Sequence, residues 1–151
     1  MAKAARQYWT HLRLKLLQRL LTPPSASADV PSHLATGHRG ELAAYFELRR
    51  RGYVVVARGW RSHIVRGDLD LIAWDAGTLS FIEVKTRTTR SFAPAEAAVD
   101  QEKQRNLCRL ARHYLRQLNQ PKVESRFDVI SIYFDHDTPQ IEIIRNAFDW
   151  A

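Results

Sequence analysis

Apolar and polar residues alternate along two neighbouring runs of this chain. Gly67-Asp68-Leu69-Asp70-Leu71-Ile72-Ala73-Trp74 and Leu79-Ser80-Phe81-Ile82-Glu83-Val84-Lys85-Thr86-Arg87 read as strands, and Asp75-Ala76-Gly77-Thr78 reads as the turn that joins them. Upstream, Thr36-Gly37-His38-Arg39-Gly40 leads into a helix over 41–51, Gly52 supplies its stop, and the β-branched run 53–58 gives a first strand. Downstream, Asp100 can cap a helix running to about Leu118, which Asn119-Gln120-Pro121 ends. Arg126 to Phe134 and Gln140 to Arg145 supply two more strands. The order α-β-β-β-α-β-β predicts a mixed five-stranded sheet flanked by helices, an α/β protein with α+β as the near alternative.

The first 34 residues follow a different pattern. Tyr8, Trp9, Leu12, Leu16 and Leu20 recur at near-helical spacing with basic residues between them, and Thr22-Pro23-Pro24-Ser25-Ala26-Ser27-Ala28 reads as a linker. Residues 1–34 are therefore expected to be a basic amphipathic extension, and residues 35–151 the main domain. The extension reads as a loosely docked segment, with contact to a partner or a membrane surface as the functional alternative. Arg13, Lys15 and Arg19 interrupt any apolar run, so no transmembrane span or secretory signal is expected.

Composition adds three constraints. A chain of 151 residues that is 45% hydrophobic suits one globular domain with a substantial core. The formal charge is +7, of which residues 1–29 contribute +4, and the pI is near 10.0. Such a balance suits a polyanionic partner such as nucleic acid, and equally an anionic membrane or simple solubility. Cys108 is the only cysteine, which excludes an internal disulfide, and the six histidines show no zinc-ligand spacing. A reducing cytoplasm is the expected compartment.

Helical geometry then aims individual side chains. On the first helix Leu48, Tyr45, Leu42 and Phe46 define the expected buried arc, and Glu41 falls inside it. An inward carboxylate needs a partner or a cation. Alternatively Glu41 sits in the first helical turn, where the dipole favours an acid, or pairs with Arg49. On the long helix Arg105, Arg109, Arg112 and Arg116 form one basic stripe opposite Leu107, Leu110, Ala111, Tyr114 and Leu118. The stripe can track a phosphate backbone, although a solvated face is the commoner reason for such a pattern. Lys103 falls on the sheet-facing side, where it either reaches the strand of Glu83 or snorkels out.

The strand acids carry the chemistry. Glu83 and Lys85 share a face, roughly 6.5 to 7 Å apart along the strand. Asp70 shares its face with Asp68, Ile72 and Trp74 on a strand apolar on both sides, hence central and buried. A purely structural role would pair these acids with Lys85 or Arg87, an arrangement that often stabilises no better than apolar residues. Mg²⁺, or Mn²⁺ in its place, takes oxygen ligands such as Asp70, Glu83 and the Val84 backbone carbonyl. A second ion held partly by Glu41 would lie about 3.5 to 4 Å away. Lys85 would orient or help deprotonate the attacking water and offset charge on the phosphate. His38 and His63, in adjoining segments, are possible acid-base groups, and Trp60, Trp74 and Phe92 possible base-stacking surfaces, with surface or core roles the simpler alternatives.

An acid on an early helix (Glu41), an aspartate on one strand (Asp70) and Glu83-Val84-Lys85 on the next resemble the PD-(D/E)XK nuclease superfamily. Gly37-x-x-Gly40-Glu41, Gly67 to Ile72, Phe81 to Arg87, Ala98-Val99-Asp100 with Lys103-Gln104, and Arg126-Phe127-Asp128-Val129 are similar to blocks of the bacterial YraN-like family of endonuclease-like proteins, related to archaeal Holliday-junction resolvases. The resemblance covers about residues 36–150. It implies a restriction-endonuclease-like core and Mg²⁺-dependent hydrolysis of DNA phosphodiesters, with Glu41, Asp70, Glu83 and Lys85 as the central residues and Lys103 and Gln104 as accessories. Asp68 stands where that family usually has Glu, and no proline precedes Asp70.

Three function classes follow: a metal-dependent endonuclease acting on DNA, including branched or repair intermediates; a non-catalytic DNA-binding module; and a membrane-peripheral adaptor resting on residues 6–21. Arg87 and the helical arginines are the expected nucleic-acid contacts. Cutting a four-way junction would further call for a symmetric homodimer.

Overall fold

The computed structural model describes residues 32–87, 99–119, 122–135 and 138–151. Residues 1–31, nearly all of the expected extension, and Phe92 lie outside the described residues. The elements run α1 (Ser32–Arg50), β1 (Val54–Arg61), β2 (Asp68–Asp75), β3 (Thr78–Arg87), α2 (Gln101–Gln117), β4 (Ser125–Asp135) and β5 (Thr138–Phe148). The five strands form one sheet in the order β1-β2-β3-β4-β5. Only β3 and β4 pair in parallel, with α2 in the connection between them, and the other neighbours are antiparallel. A parallel pair requires a long crossover, whereas hairpins join the antiparallel neighbours β2 and β3, and β4 and β5. The sheet is mixed and the fold is α/β, as the pattern predicted.

Each face of the sheet carries one helix. Ala44, Tyr45 and Leu48 of α1 pack with Leu71, Ala73, Ile82, Ile130 and Ile132. Leu107, Leu110, Ala111 and Tyr114 of α2 pack with Ile72, Leu79, Phe81, Phe127 and Val129 on the opposite face. Alternation along β3 thus sends Phe81, Glu83 and Lys85 toward α2 and Ile82, Val84 and Thr86 toward α1. Asp100 caps α2 by accepting the Lys103 N–H at 2.8 Å. The turn at Ala76 and Gly77 has both residues at positive φ, 47° and 101°, as a two-residue hairpin loop requires. Trp60 and Trp74 pack against the core of the α2 face. No described helix is long and apolar enough to cross a membrane.

Helix α1 departs from expectation in two ways. It starts at Ser32 and runs through Gly37 and Gly40, so Glu41 lies mid-helix, away from the first-turn dipole that offered one explanation for an acid there. Its buried face also takes only half of the expected apolar arc, Tyr45 and Leu48. Leu42 and Phe46 are exposed, at 38% and 61%, while Gly40, Ala44, Tyr45 and Leu48 are buried. The cause is close approach: a Cβ on Gly40 would overlap Thr86 Oγ1 and lie 3.1 Å from Thr86 Cβ. Small residues let α1 lie directly on β3, which matters more to the packing than the size of Leu42 or Phe46. Gly40→Ala should therefore destabilise the protein by about 1–3 kcal/mol in urea unfolding. Thr86→Ala should recover part of that loss, and full additivity of the two changes would contradict the contact.

Candidate active site

Between β2 and β3 the pairing runs from Asp75↔Thr78 to Leu71↔Ile82 and goes no further. The next inward N–H of β3, that of Val84, donates instead to Asp70 Oδ2 at 2.8 Å. A side-chain carboxylate thus takes the place of a backbone carbonyl where the ladder ends. A strand residue directs its N–H and C=O toward the same neighbour, so the Val84 carbonyl opens toward the same gap.

Glu83 lies beside this gap with only 4% of its side chain exposed. Its Oε1 binds two ammonium groups, Lys85 Nζ at 3.0 Å and Lys103 Nζ at 3.1 Å. Its Oε2 is buried without a hydrogen-bond partner among the described residues. Lys103 therefore reaches the strand from α2 rather than snorkelling outward. Burial opposes the charge on Lys103, but attraction to Glu83 outweighs it and raises its pKa. Asp70 is pushed up to about 7, first by burial and then by the charge of Glu83, with Glu41 adding to the effect while the Val84 N–H and Lys103 oppose it. Glu41, Asp70 and Glu83 thus share one electrostatic environment, although they come from a helix and two strands.

Two pairings foreseen from the sequence do not occur. Arg49 donates to the Tyr45 hydroxyl at 3.1 Å instead of pairing with Glu41. Lys85 takes Glu83, not Asp70, while Asp68 meets Arg61 at 3.4 Å. Gln104 is turned away, since its amide donates to the Val99 carbonyl at 2.8 Å and braces the start of α2. Arg87 is half-buried at the end of β3. Arg105, Arg109, Arg112 and Arg116 are all exposed. Arg105 donates to the Gln101 carbonyl and Arg109 to Asn106 Oδ1, while Arg112 lies over the Trp150 ring and holds the Ala151 carbonyl. Part of the stripe thus secures the C-terminal segment. His38 and His63 are exposed side chains.

Among the described residues, no group of three carboxylate, histidine or cysteine side chains forms a ready-made ligand set. The donors nevertheless suit a hard divalent cation. Glu83 Oε2 is a buried acceptor lacking a donor, and Asp70 is an acid disfavoured by neighbouring anions; one cation would relieve both.

A second polar cluster escaped the sequence reading. Asp128, 1% exposed, accepts from Ser80 Oγ at 2.6 Å, from Arg126 Nε at 2.9 Å and from the Asn146 N–H at 2.9 Å. Arg126 also donates to Asp75 at 2.6 Å and to the Tyr53 hydroxyl at 3.3 Å, and Arg145 donates to Tyr53 at 3.0 Å. The available signal was an acid inside the apolar run Phe127-Asp128-Val129-Ile130.

Comparison with known proteins places the chain in a family. The model of "Uncharacterised protein family UPF0102" matches residues 40–132, a span holding Glu41, Asp70, Glu83, Lys85 and Asp128. A UPF0102 protein of Koribacter versatilis (strain Ellin345) is 49% identical over 140 residues, covering 93% of this chain and 94% of the relative. One from Solibacter usitatus (strain Ellin6076) is 43% identical over 112 residues, covering 74% and 84%. Another, from Desulfosudis oleivorans, is 39% identical over 113 residues, covering 75% and 89%. The chain belongs to the UPF0102 family, the YraN family that its motifs resemble.

Proposed function

We propose that this protein is a metal-dependent endonuclease that hydrolyses DNA phosphodiester bonds at the gap between β2 and β3. The observation that carries the reading is Glu83, a buried carboxylate with two lysines on one oxygen and an unpartnered second oxygen. A purely structural ion pair has no use for that bare oxygen, whereas a cation-binding acid does. Asp70, Glu83 and the Val84 carbonyl would hold Mg²⁺ or Mn²⁺, with Glu41 as the adjoining carboxylate. The ion, when bound, supplies Lewis acidity and neutralises charge on the phosphate. Lys85 stands on the same face as Glu83 and places an ammonium where a phosphate oxygen or the attacking water needs a donor. The Asp70 bond to the Val84 N–H ties β2 to β3 where their ladder ends, which fixes the spacing of the donors as substrate enters. The net positive charge favours a polyanionic substrate.

Incubation of end-labelled linear, single-stranded, flap and four-way-junction DNA with Mg²⁺, Mn²⁺ or EDTA tests this. Cutting should require the metal and fall by roughly 10³-fold or more in Glu83→Ala, with the fold retained by circular dichroism. Mg²⁺ should also raise the melting temperature of the native protein but not of that variant. One observation favours a second reading, a non-catalytic DNA-binding module: Glu83 Oε1 is already neutralised by two lysines. Salt-sensitive DNA binding without cleavage and without any metal response would establish that module instead.

A further inference from the structure

The connection between β1 and β2, residues 62–67, presents an isoleucine to solvent from a firmly braced loop. Ile64 is 79% exposed. Its neighbour Val65 packs against the core beneath α2, so the loop is anchored one residue away while Ile64 projects. Ser62 Oγ accepts the N–H groups of Ile64 and Val65, both at 3.0 Å, which sets the turn. Asn106 of α2 donates to the Arg66 carbonyl at 3.0 Å. Gly67, at φ +109°, lets the chain pass Asn106, whose Nδ2 would lie 2.8 Å from a Cβ there. An exposed apolar side chain is ordinary on a surface, but here several contacts fix the backbone on both sides of it.

The surroundings point to the partner. Arg61, His63 and Arg66 flank Ile64 and are all exposed. The loop leads straight into β2, which carries Asp68 and Asp70, Arg61 reaches Asp68, and its brace Asn106 lies one helical turn beyond Lys103 on α2. Apolar side chains between cationic ones are what proteins insert between base steps to unstack or kink a duplex, while the cations hold adjoining phosphates.

We infer that residues 61–66 form a DNA-engaging wedge, in which Ile64 enters an unstacked or branched base step and Arg61, His63 and Arg66 bind the flanking phosphates. This rests on the endonuclease reading and deepens it: the preferred substrate is DNA whose stacking is already interrupted, since separating intact stacked bases costs more. The Arg61 contact with Asp68 is long, at 3.4 Å, and exposed, so a phosphate can replace it.

The test uses the full chain and Ca²⁺, which holds substrate without the need for turnover. Four-way-junction and nicked DNA would carry 2-aminopurine, a base whose fluorescence rises on unstacking, at the branch or nick. The native protein should raise the signal, Ile64→Leu should retain the rise, and Ile64→Ser should lose it while affinity by anisotropy falls no more than about tenfold. Arg66→Ala should lower the slope of log affinity against log salt by about one. An undiminished rise in Ile64→Ser, with native DNA binding intact, overturns the wedge and leaves the endonuclease reading standing. Absence of any DNA binding by the native protein overturns both.

Discussion

Asp70→Asn is expected to raise the melting temperature at pH 8 and to abolish metal-dependent cleavage. The folded protein holds Asp70 at a pKa of about 7 against an ordinary value of 3.8, with burial as the first cause and Glu83 as the second. A raised pKa means the folded state binds this proton more tightly than the unfolded chain. Ionising Asp70 therefore costs nothing below about pH 4, costs progressively more between 3.8 and about 7, and costs a constant amount above that. The displacement corresponds to at most about 4 kcal/mol, and partial solvent screening at the half-buried carboxylate leaves about 2 kcal/mol. Asparagine keeps an acceptor for the Val84 N–H but carries no charge, so it should gain roughly 4–10 °C at pH 8. The gain should vanish near pH 4. Melting curves of both proteins across that range, with and without Mg²⁺, test the account. A variant less stable than the native protein at pH 8 would make the charge of Asp70 a structural asset and remove the reason to regard it as poised for a cation. Stability given up at one half-buried acid is the expected signature of a residue kept for chemistry.

Asp128→Ala should destabilise the protein by about 3–5 kcal/mol, the larger of the two stability effects. Its carboxylate is fully buried and joins β4 to Ser80 of β3 and to the backbone of Asn146 on β5, while its partner Arg126 reaches Asp75 at the end of β2. Asn146 has φ 51°, and the β4–β5 register is irregular between Phe127 and Val129. The Asp128 bond to the Asn146 N–H compensates this break in the ladder. Alanine would leave Arg126 half-paired, strand the buried Ser80 hydroxyl and remove the acceptor of the Asn146 N–H. Asp128→Asn keeps one of the two acceptor oxygens and should lose only about half as much. Urea unfolding at constant m-value measures both. A loss below about 1 kcal/mol for alanine would show that the network adds little to the fold. Asp75, whose bond from Arg126 holds its pKa below the ordinary 3.8, contributes stability above about pH 4 that is lost as pH falls through its folded pKa. Acid should therefore loosen this end of the sheet while protonation relieves Asp70 near the other.

Much was legible from the residues alone. The helix and strand periodicities along the chain, the turn at 75–78, the Gly52 stop and the cap at Asp100 were enough to predict the element order, the mixed sheet and the α2 limits, because these depend on local periodicity and turn chemistry. The placing of Glu83 and Lys85 on one face followed from the same alternation, though not their ion pair, and helical angle alone left Lys103 two outcomes, one of which occurs. The face of α1 followed only in part, with Tyr45 and Leu48 buried as expected. Apolar bulk favours Leu42 and Phe46, but Gly40 beside Thr86 sets how near helix and strand come, and that nearness is a property of two segments about 45 residues apart in the chain. Likewise, residue identity could nominate Asp70 as an acid in a strand. Only the end of the β2–β3 pairing at Leu71 and Ile82 turns it toward the Val84 N–H and into the field of Glu83 and Glu41. The Asp128 network is the clearest case, since its members lie on several strands and in the approach to β1, and acquire their roles only through sheet register. Local pattern determined which residues could carry chemistry; tertiary proximity, through burial and long-range charge, decided which of them act on one another.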